Sequence, residues 1–477
     1  MGIVLERGTD HPYYFMNGLD ERFYREAIVA ADEATSYKPA NYERTLSYQR
    51  GTWDGTIHLL RRARNGTYFF PSGLLKTVCE VLDGFGVEYT VVDRTQHVKD
   101  GISLEWVTDK KLRDYQHTSV ENAIDEMLTG SGGSIICLPT GAGKSFIMCR
   151  IIYELRQKTI IIVHTKDLLN QWKKVIHEMF GFYPAIIGDS VKDPPGKITV
   201  AMVQTLYSML KKDPSSFPGK EFNLSCFDEV HRVCSNTAYA VSMAMSAKYR
   251  LGASATPTRE DNTQLRIIAA TGSPVDVPST EEFIDKKILA IPEFRFYRLP
   301  HPRVYGNKWP EVRMSGIVLN DARNEAICGA VEHLISTGHS VYVSVDILTH
   351  GERLVGMIRG ACPESNAVFL QGSDNTKRRE AVFSKFKSGE IKALVSTLLR
   401  EGVDIPEISA YVNAAGGKSE VSQIQRVGRA LRQNPAGDKT SVIVDFIDGG
   451  HRWLGRHWDQ RWQTYRKYYG DYCPFPR

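Results

Sequence analysis

The sequence predicts an α/β protein: two tandem parallel-sheet lobes behind a small N-terminal α+β domain. Two observations carry this reading. Apolar strand segments alternate with helical segments in two separate runs, Leu112 to about Val277 and Ser340 to Asp445, as parallel sheets with crossover helices require. Within the first run, Leu138-Pro-Thr-Gly-Ala-Gly-Lys-Ser145 lies between the apolar stretch Ile135–Leu138 and the helically spaced stretch Phe146–Leu155. Strand, glycine turn and helix in that order is the context of a phosphate-binding loop. The expected boundaries are residues 1–106 for the small domain, 107–280 for the first lobe, 281–318 for a proline-bearing connector and 319–477 for the second lobe.

The small domain reads as a basic hairpin followed by a helix and a strand. Trp53–Arg64 suggests a strand ending in three arginines, Asn65-Gly66 is a hairpin signal, and Thr67–Phe70 is the return strand. Leu74–Phe85 has helical spacing, and Val87–Val92 reads as a strand. Arg61, Arg62 and Arg64 are candidate DNA contacts on this hairpin, the alternative being a solvated edge. In the first run the candidate strands are Ser134–Leu138, Thr159–Val163, Ile198–Met202, Cys226–Asp228 and Tyr249–Ala253. In the second they are Ser340–Val345, Ala367–Leu370, Ala393–Ser396, Tyr411–Asn413 and Ser441–Asp445. The aromatic stretch Trp453–Tyr472 is expected to pack on the second lobe.

Composition narrows the class. At 477 residues, 42% hydrophobic and 24% charged, the chain fits a globular protein of two to four domains. No apolar run is long enough to span a membrane, and no signal segment is evident, so a cytoplasmic location is expected. The eight cysteines are scattered without a CxxC pair, which reads as reduced thiols and no zinc. A net charge of +5 permits a polyanionic partner without demanding one.

Three segments carry chemistry. In the loop Thr140-Gly141-Ala142-Gly143, the glycines let consecutive N–H groups face one point at the positive end of a helix dipole. Lys144 adds a cation for the β- and γ-phosphates, and Ser145 a hydroxyl for Mg²⁺. Phe227-Asp-Glu-Val-His231 ends an apolar stretch. Asp228 there suits a metal ligand and Glu229 the orientation or deprotonation of an attacking water, against the alternative of a solvated acidic turn. Gln423–Arg432 places Arg426 and Arg429 at i, i+3 on one helix face. They are either arginine fingers for a γ-phosphate from a facing lobe or a basic surface.

Six segments occur in the order found in superfamily 2 helicases, which the chain resembles over about residues 108–450. They are Leu112-Arg-Asp-Tyr-Gln116, the glycine loop, Asp228-Glu-Val-His231, Ser254-Ala-Thr-Pro257, Glu401-Gly-Val-Asp-Ile-Pro406 and Gln423–Arg432. The resemblance implies two RecA-like lobes with ATP and Mg²⁺ in the cleft between them. It further implies that Gln116 reads the adenine and that Gly402 and Asp404 lie by the ribose and phosphates. Ser254 and Thr256, with His231 and Gln423, would couple hydrolysis to lobe movement. Thr165, Lys166, Gln204, Thr205 and Thr397 match strand-contacting positions, the alternative for the hydroxyls being helix caps.

Two finer resemblances follow. Leu251–Asp261, Glu281–Pro292 and Asn320-Asp-Ala-Arg-Asn324 are similar to XPB-type DNA helicases, and Arg259 falls in the first of these as a DNA contact. Trp53-Asp-Gly55 and Phe70-Pro-Ser-Gly-Leu-Leu75 resemble the small DNA-binding domain of phage recombination helicases of the UvsW type. Together they imply an ATP-dependent DNA helicase or translocase acting on duplex, forked, D-loop or four-way-junction DNA. Recombination or replication proteins would be its partners, in the host cytoplasm if the chain is phage-encoded. The alternatives are an RNA helicase and a non-translocating ATP-gated clamp.

Overall fold

The computed structural model describes residues 2–95, 101–255, 263–275, 278–398, 408–434 and 437–476. The chain divides into two compact units. The first comprises Met1–Leu138 and Gly143–Val277, and the second Pro139–Ala142 and Pro278–Arg477. The expected positions Thr256, Arg259, Gly402 and Asp404 lie outside the described residues.

The first unit holds two large sheets and a two-stranded ribbon that pairs Ser36–Tyr37 with Ile57–His58. The N-terminal sheet has five strands, β1 (Ile3–Arg7), β2 (Tyr13–Asn17), β3 (Arg61–Arg62), β4 (Tyr68–Pro71) and β5 (Tyr89–Asp93), in the order β3-β4-β2-β1-β5. Alternation along β1 and β2 turns Ile3, Leu5, Tyr14 and Met16 inward. There they share a core with Ala27, Ile28 and Ala31 of helix α1 (Glu21–Ala34) and Val78 and Leu82 of α2 (Leu75–Gly84). The expected hairpin is present: Arg61 pairs with Phe69 and Arg62 with Tyr68, around Gly66 at φ +86°.

This sheet is its own layer but does not have its own closed core, as boundaries at 106 and 107 would require. Its cluster includes Ala269 and packs on Tyr239, Leu265 and Ile268 of the neighbouring layer. The buried Arg7 guanidinium donates to the carbonyls of Ala247 (2.7 Å) and Lys248 (3.4 Å). Gly73 approaches the helix that ends at Thr271 so closely that a Cβ there would collide with the Ile268 carbonyl oxygen.

The second sheet of this unit has eight strands. They are β6 (Gly133–Cys137), β7 (Thr159–Val163), β8 (Ala185–Gly188), β9 (Val191–Lys192), β10 (Ile198–Met202), β11 (Leu224–Asp228), β12 (Tyr249–Ser254) and β13 (Ser273–Pro274), in the order β9-β8-β10-β7-β11-β12-β6-β13. All pairs are parallel except β8–β9. The inner strands are buried on both faces, which is why β7 is the unbroken apolar run Ile160–Val163 after Thr159. Helices α3 (Asp114–Thr129), α4 (Lys144–Leu155), α5 (Lys166–Phe180) and α6 (Val203–Lys212) connect or flank them.

The second unit is built on six parallel strands. These are β14 (Ile291–Arg298), β15 (Val341–Ser344), β16 (Val368–Leu370), β17 (Ala393–Ser396), β18 (Ala410–Asn413) and β19 (Thr440–Ile447), ordered β14-β19-β18-β15-β17-β16. The stretch 281–318, expected as a connector, instead supplies β14, which runs in register with β19 from Ile291–Thr440 to Arg298–Ile447. Pro292 disguised it, and an edge strand tolerates a proline. Phe294 and Phe296 face Tyr465, Tyr469 and Trp458 of helix α7 (Arg452–Tyr469), so the aromatic C-terminal stretch packs on this unit.

Beneath that helix lies a buried charge cluster. Arg461 donates to Asp445 (2.9 Å) and Asp448 (2.9 Å), and Arg323 donates to Asp448 (2.8 Å) and the Ala414 carbonyl (2.8 Å). Burial raises the Asp448 carboxyl, but the two guanidinium groups outweigh it and hold the group below its ordinary range. The Asn320–Asn324 motif therefore does structural work: Asn320 caps a helix, Arg323 enters this cluster, and Asn324 Oδ1 lies 2.9 Å from His350 Nε2.

Candidate nucleotide-hydrolysis site

The site is assembled at the carboxyl ends of β6, β11 and β12. After β6 the chain turns through Gly141 (φ +93°) and Gly143 (φ +81°), conformations that glycine adopts without steric cost. The Leu138 amide donates to the Ser254 carbonyl (3.1 Å), anchoring the turn to β12. Lys144 Nζ donates to the Leu138 carbonyl (3.1 Å), so the ammonium curls back over the loop's own mouth. Ser145, half-buried, follows in the first turn of α4.

Gln116 reaches the same loop from α3. Its Oε1 accepts from the Arg113 amide (3.0 Å), and a Cβ on Gly143 would come within 2.5 Å of its Nε2. The glycine is thus required twice, for its φ and for the amide beside it. Gln116 is buried, its Oε1 fixed by the Arg113 amide and its Nε2 set beside the glycine loop.

Asp228 and Glu229 end β11. Asp228 Oδ1 accepts from the Glu229 amide (3.0 Å) and Oδ2 from the Trp172 indole N–H (2.9 Å). Burial and then the neighbouring Glu229 charge push its carboxyl up to about 6, while the indole bond and Lys144 pull the other way. Two adjoining carboxylates, one dehydrated and near a lysine, make a donor set suited to a hard divalent cation. Glu229 is left-handed (φ 53°), which turns the chain sharply just past the strand. His231 Nδ1 lies 3.3 Å from Glu229 Oε2 and 3.2 Å from Ser254 Oγ. The structure thus brings together two motifs that stand apart in the sequence, Asp228–His231 and the one that begins at Ser254.

Trp172 was not legible as a site residue. It reads as one more apolar position of the amphipathic helix α5, alongside Leu168, Leu169 and Ile176. Its position beside Asp228 becomes visible only once α5 is laid against β11.

The strand-contact positions sort less uniformly. Thr165 caps α5, its hydroxyl accepting from the Leu168 amide (3.3 Å), which is the capping alternative realised. Lys166 is exposed and pairs with Asp189 (2.7 Å). Gln204 donates to the His164 carbonyl (3.0 Å), and Thr205 is half-buried beside it. The four therefore gather at the ends of the paired strands β7 and β10. Thr397 follows β17, its amide donating to the Leu370 carbonyl (3.3 Å). On the N-terminal hairpin Arg61 and Arg64 are exposed, whereas Arg62 pairs with Glu21 (2.6 Å) over the Tyr68 ring.

The second unit holds the expected arginine pair, Arg426 and Arg429. The segment Glu420–Ala430 carries both residues, and Arg426 is only 3% exposed and donates to Asp346 (2.6 Å). Burial opposes its charge, but Tyr411 and Asp346 outweigh this and raise its pKa. Arg426 is committed within its own lobe. The remaining pair at the same spacing is Arg429 and Arg432, and burial pushes Arg432 down to about 10. Gln423 Oε1 lies 3.1 Å from the Tyr465 hydroxyl and 3.4 Å from Asn413 Nδ2, in the interior of the unit.

The fold and this pocket define a phosphate-loop nucleotide hydrolase with two parallel-sheet lobes. Residues 109–259 match the family described as type III restriction enzyme, res subunit, and residues 324–434 match the helicase conserved C-terminal domain. The chain belongs to the superfamily 2 helicases. A relative named DNA 3'-5' translocase XPB2, from Sulfurisphaera tokodaii, is 27% identical over 75% of this chain and 87% of its own length. The chain spans only about half (54% and 52%) of two haloarchaeal relatives it also matches. Among solved structures, the helicase MrfA bound to DNA aligns over 74% of this chain and 49% of its own, at 16% identity and a TM-score of 0.55. T4 UvsW aligns over 98% and 97%, at 20% identity and a TM-score of 0.46. Among the described residues no helix is long and apolar enough to cross a membrane, and no group of three or more His, Cys, Asp or Glu could hold a metal ion.

Proposed function

We propose that the protein is an ATP-driven DNA translocase or helicase that remodels duplex or branched DNA. Forks, D-loops and four-way junctions met in recombination, repair or replication are its substrates, and the cytoplasm is its place of work. The observation that carries the hydrolytic part is the Asp228–Glu229 pair beside the Lys144 loop, with His231 joining Glu229 to Ser254. The DNA part is supported by the relative named as a DNA translocase, which aligns over three-quarters of this chain.

We assign the roles as follows, with the geometry in support. Gln116 selects the base, and the amides of Thr140–Gly143 with Lys144 hold the phosphates. Ser145 and Asp228 would hold Mg²⁺, which when bound neutralises charge on the β- and γ-phosphates. Glu229 orients the attacking water and accepts its proton. Arg429 and Arg432 are the pair we assign to charge developing on the γ-phosphate. His231, bonded to both Glu229 and Ser254, carries the state of the water-activating carboxylate to the end of β12. Arg61 and Arg64 on the hairpin, with Lys166 and Gln204, supply sequence-independent affinity for the DNA backbone.

The test is the steady-state ATPase rate without nucleic acid and with single-stranded DNA, duplex, a four-way junction or structured RNA, at fixed salt. Stimulation by duplex or junction DNA well above RNA is expected. Equal or greater stimulation by RNA overturns the DNA assignment, and stimulation without strand displacement indicates a clamp.

A further inference from the structure

The second unit contains a cavity of about 310 Å³ that the hydrolytic chemistry does not use. It lies at the topological switch point of the six-stranded sheet. From β15 the chain crosses toward β16 and β17, whereas from β18 it crosses the other way to β19, and β15 and β18 are paired neighbours. In open α/β sheets the crevice outside the carboxyl ends of two such strands is where ligands bind. Asp346, just past β15, and Gly417-Lys418-Ser419, past β18, both line the cavity.

The lining has two chemical faces. One is aromatic: Trp309 and Trp453 flank His457, with ring centroids 4.0 and 6.1 Å from the imidazole. His457 is 4% exposed, lines the cavity, and its Nδ1 has no hydrogen-bond partner among the described residues. The other face is cationic. Lys418 is exposed at the rim, and it precedes the first turn of the eleven-residue helix Glu420–Ala430, whose N-terminal dipole favours an anion. Burial, and then Arg461, Lys418 and Arg456, push the His457 imidazole down to about 4, with Asp448 opposing them. Three carboxylates lie near: Asp346 is engaged by Arg426, Glu420 in the helix's first turn by Lys467, and Asp448 by Arg323 and Arg461, so none opposes this field freely.

We propose that this cavity holds one nucleotide of the single-stranded DNA on which the protein acts, its base against Trp453 and Trp309 and its phosphate on Lys418 and the N-terminus of Glu420–Ala430. A volume of about 310 Å³ is at the small end of ligand pockets and suits one nucleotide, not a duplex. Indole faces beside a basic rim are the combination that binds single strands without reading sequence. The occupant would touch one end of a helix whose other end carries Arg429. The inference rests on the DNA-translocase reading, and the experiment separates the two.

Binding of labelled oligothymidylate to the full-length protein is measured by anisotropy across a salt series, for wild type, Trp453→Ala, Trp453→Phe and Lys418→Ala. Thermal melts check folding. Loss of one stacked base weakens binding by roughly 5- to 150-fold, so Trp453→Ala should fall in that range and Trp453→Phe should recover most of it. Lys418→Ala should lower the salt slope by about 0.7, one phosphate contact on a single strand. Wild-type affinity and slope in Trp453→Ala and Lys418→Ala, in a protein whose ATPase is stimulated by DNA, overturn the cavity assignment alone. Losses confined to oligouridylate overturn it in favour of an RNA occupant. A wild-type protein that neither binds oligothymidylate nor responds to any DNA overturns the underlying reading instead.

Discussion

Replacing Trp172 with Phe tests whether Asp228, the carboxylate we propose for Mg²⁺, is held by a specific bond. Trp172 Nε1 donates to Asp228 Oδ2 at 2.9 Å, and the two residues are 1% and 8% exposed. A hydrogen bond to a charged, dehydrated group contributes about 1.5–3 kcal/mol. If the full loss is felt in the transition state, kcat falls by about 10- to 150-fold, since about 1.4 kcal/mol is a factor of ten. Phe keeps most of the packing, so the remaining void should cost about 1–2 kcal/mol of stability. The assay is DNA-stimulated ATP turnover at saturating ATP over a Mg²⁺ titration, with calorimetry and Mg²⁺-dependent binding of a fluorescent ADP alongside. A lower kcat, a nearly unchanged KM for ATP and a higher Mg²⁺ requirement in both assays are expected. A kcat within twofold of wild type together with a lowered Tm would show that Trp172 only fills space, and the reasoning would fail.

Other expectations follow from the same contacts. Arg426→Ala breaks a buried ion pair and should cost about 3 kcal/mol, read as a lower Tm, because Asp346 is left uncompensated. Arg429→Ala should lower kcat by roughly 10³-fold in a protein that still folds; an unchanged kcat in that variant, with a lowered one in a folded Arg426 variant, would return the catalytic role to Arg426. Gly73→Ala should destabilise the first unit by more than 1 kcal/mol, on the order of an overpacked core, visible in a denaturant melt. His350 sits buried and neutral, pushed down to about 3 by burial and then by Arg323 and Arg353. Its folded pKa lies below the unfolded value of about 6.5, so its stabilisation is complete above about pH 6.5 and is lost as pH falls toward 3. His350→Gln should therefore lose less stability than wild type between pH 7.5 and 5, by roughly 2 kcal/mol in paired melts.

What the sequence disclosed, and what it withheld, follows the range of the interactions. Strands β7, β10 and β11 were readable to within two residues because central parallel strands are continuous apolar runs. The glycine loop was readable because its φ angles demand glycine locally. The edge strand β14 was not, since its partner β19 lies about 150 residues away and Pro292 mimics a linker. The burial of Arg426 was withheld for a similar reason. Helical spacing puts it on a face, but only the Asp346 loop decides whether that face meets ligand or lobe. Arg323 illustrates the point from the other side: a motif that resembles a family signature resolves into a buried strut between Asp448 and Ala414.

The segment Glu420–Ala430 gathers these threads. All of Gln423–Ala430 is buried, which is unusual for a stretch holding two glutamines and two arginines. Burying such groups is costly unless each is matched, and the matches differ along the helix. Gln423 meets Tyr465 and Asn413, Arg426 meets Asp346, and the exposed Lys418 stands just before the first turn. A helix fixed at its middle by an ion pair cannot easily shift one end without moving the other. Polar groups that would be wasteful in a packing element are reasonable in one that links a nucleotide-sized cavity at its N-terminus to Arg429 near its C-terminus. On this view the Arg426–Asp346 pair is the pivot of the linkage, and its cost in desolvation is offset by the rigidity it lends to the helix.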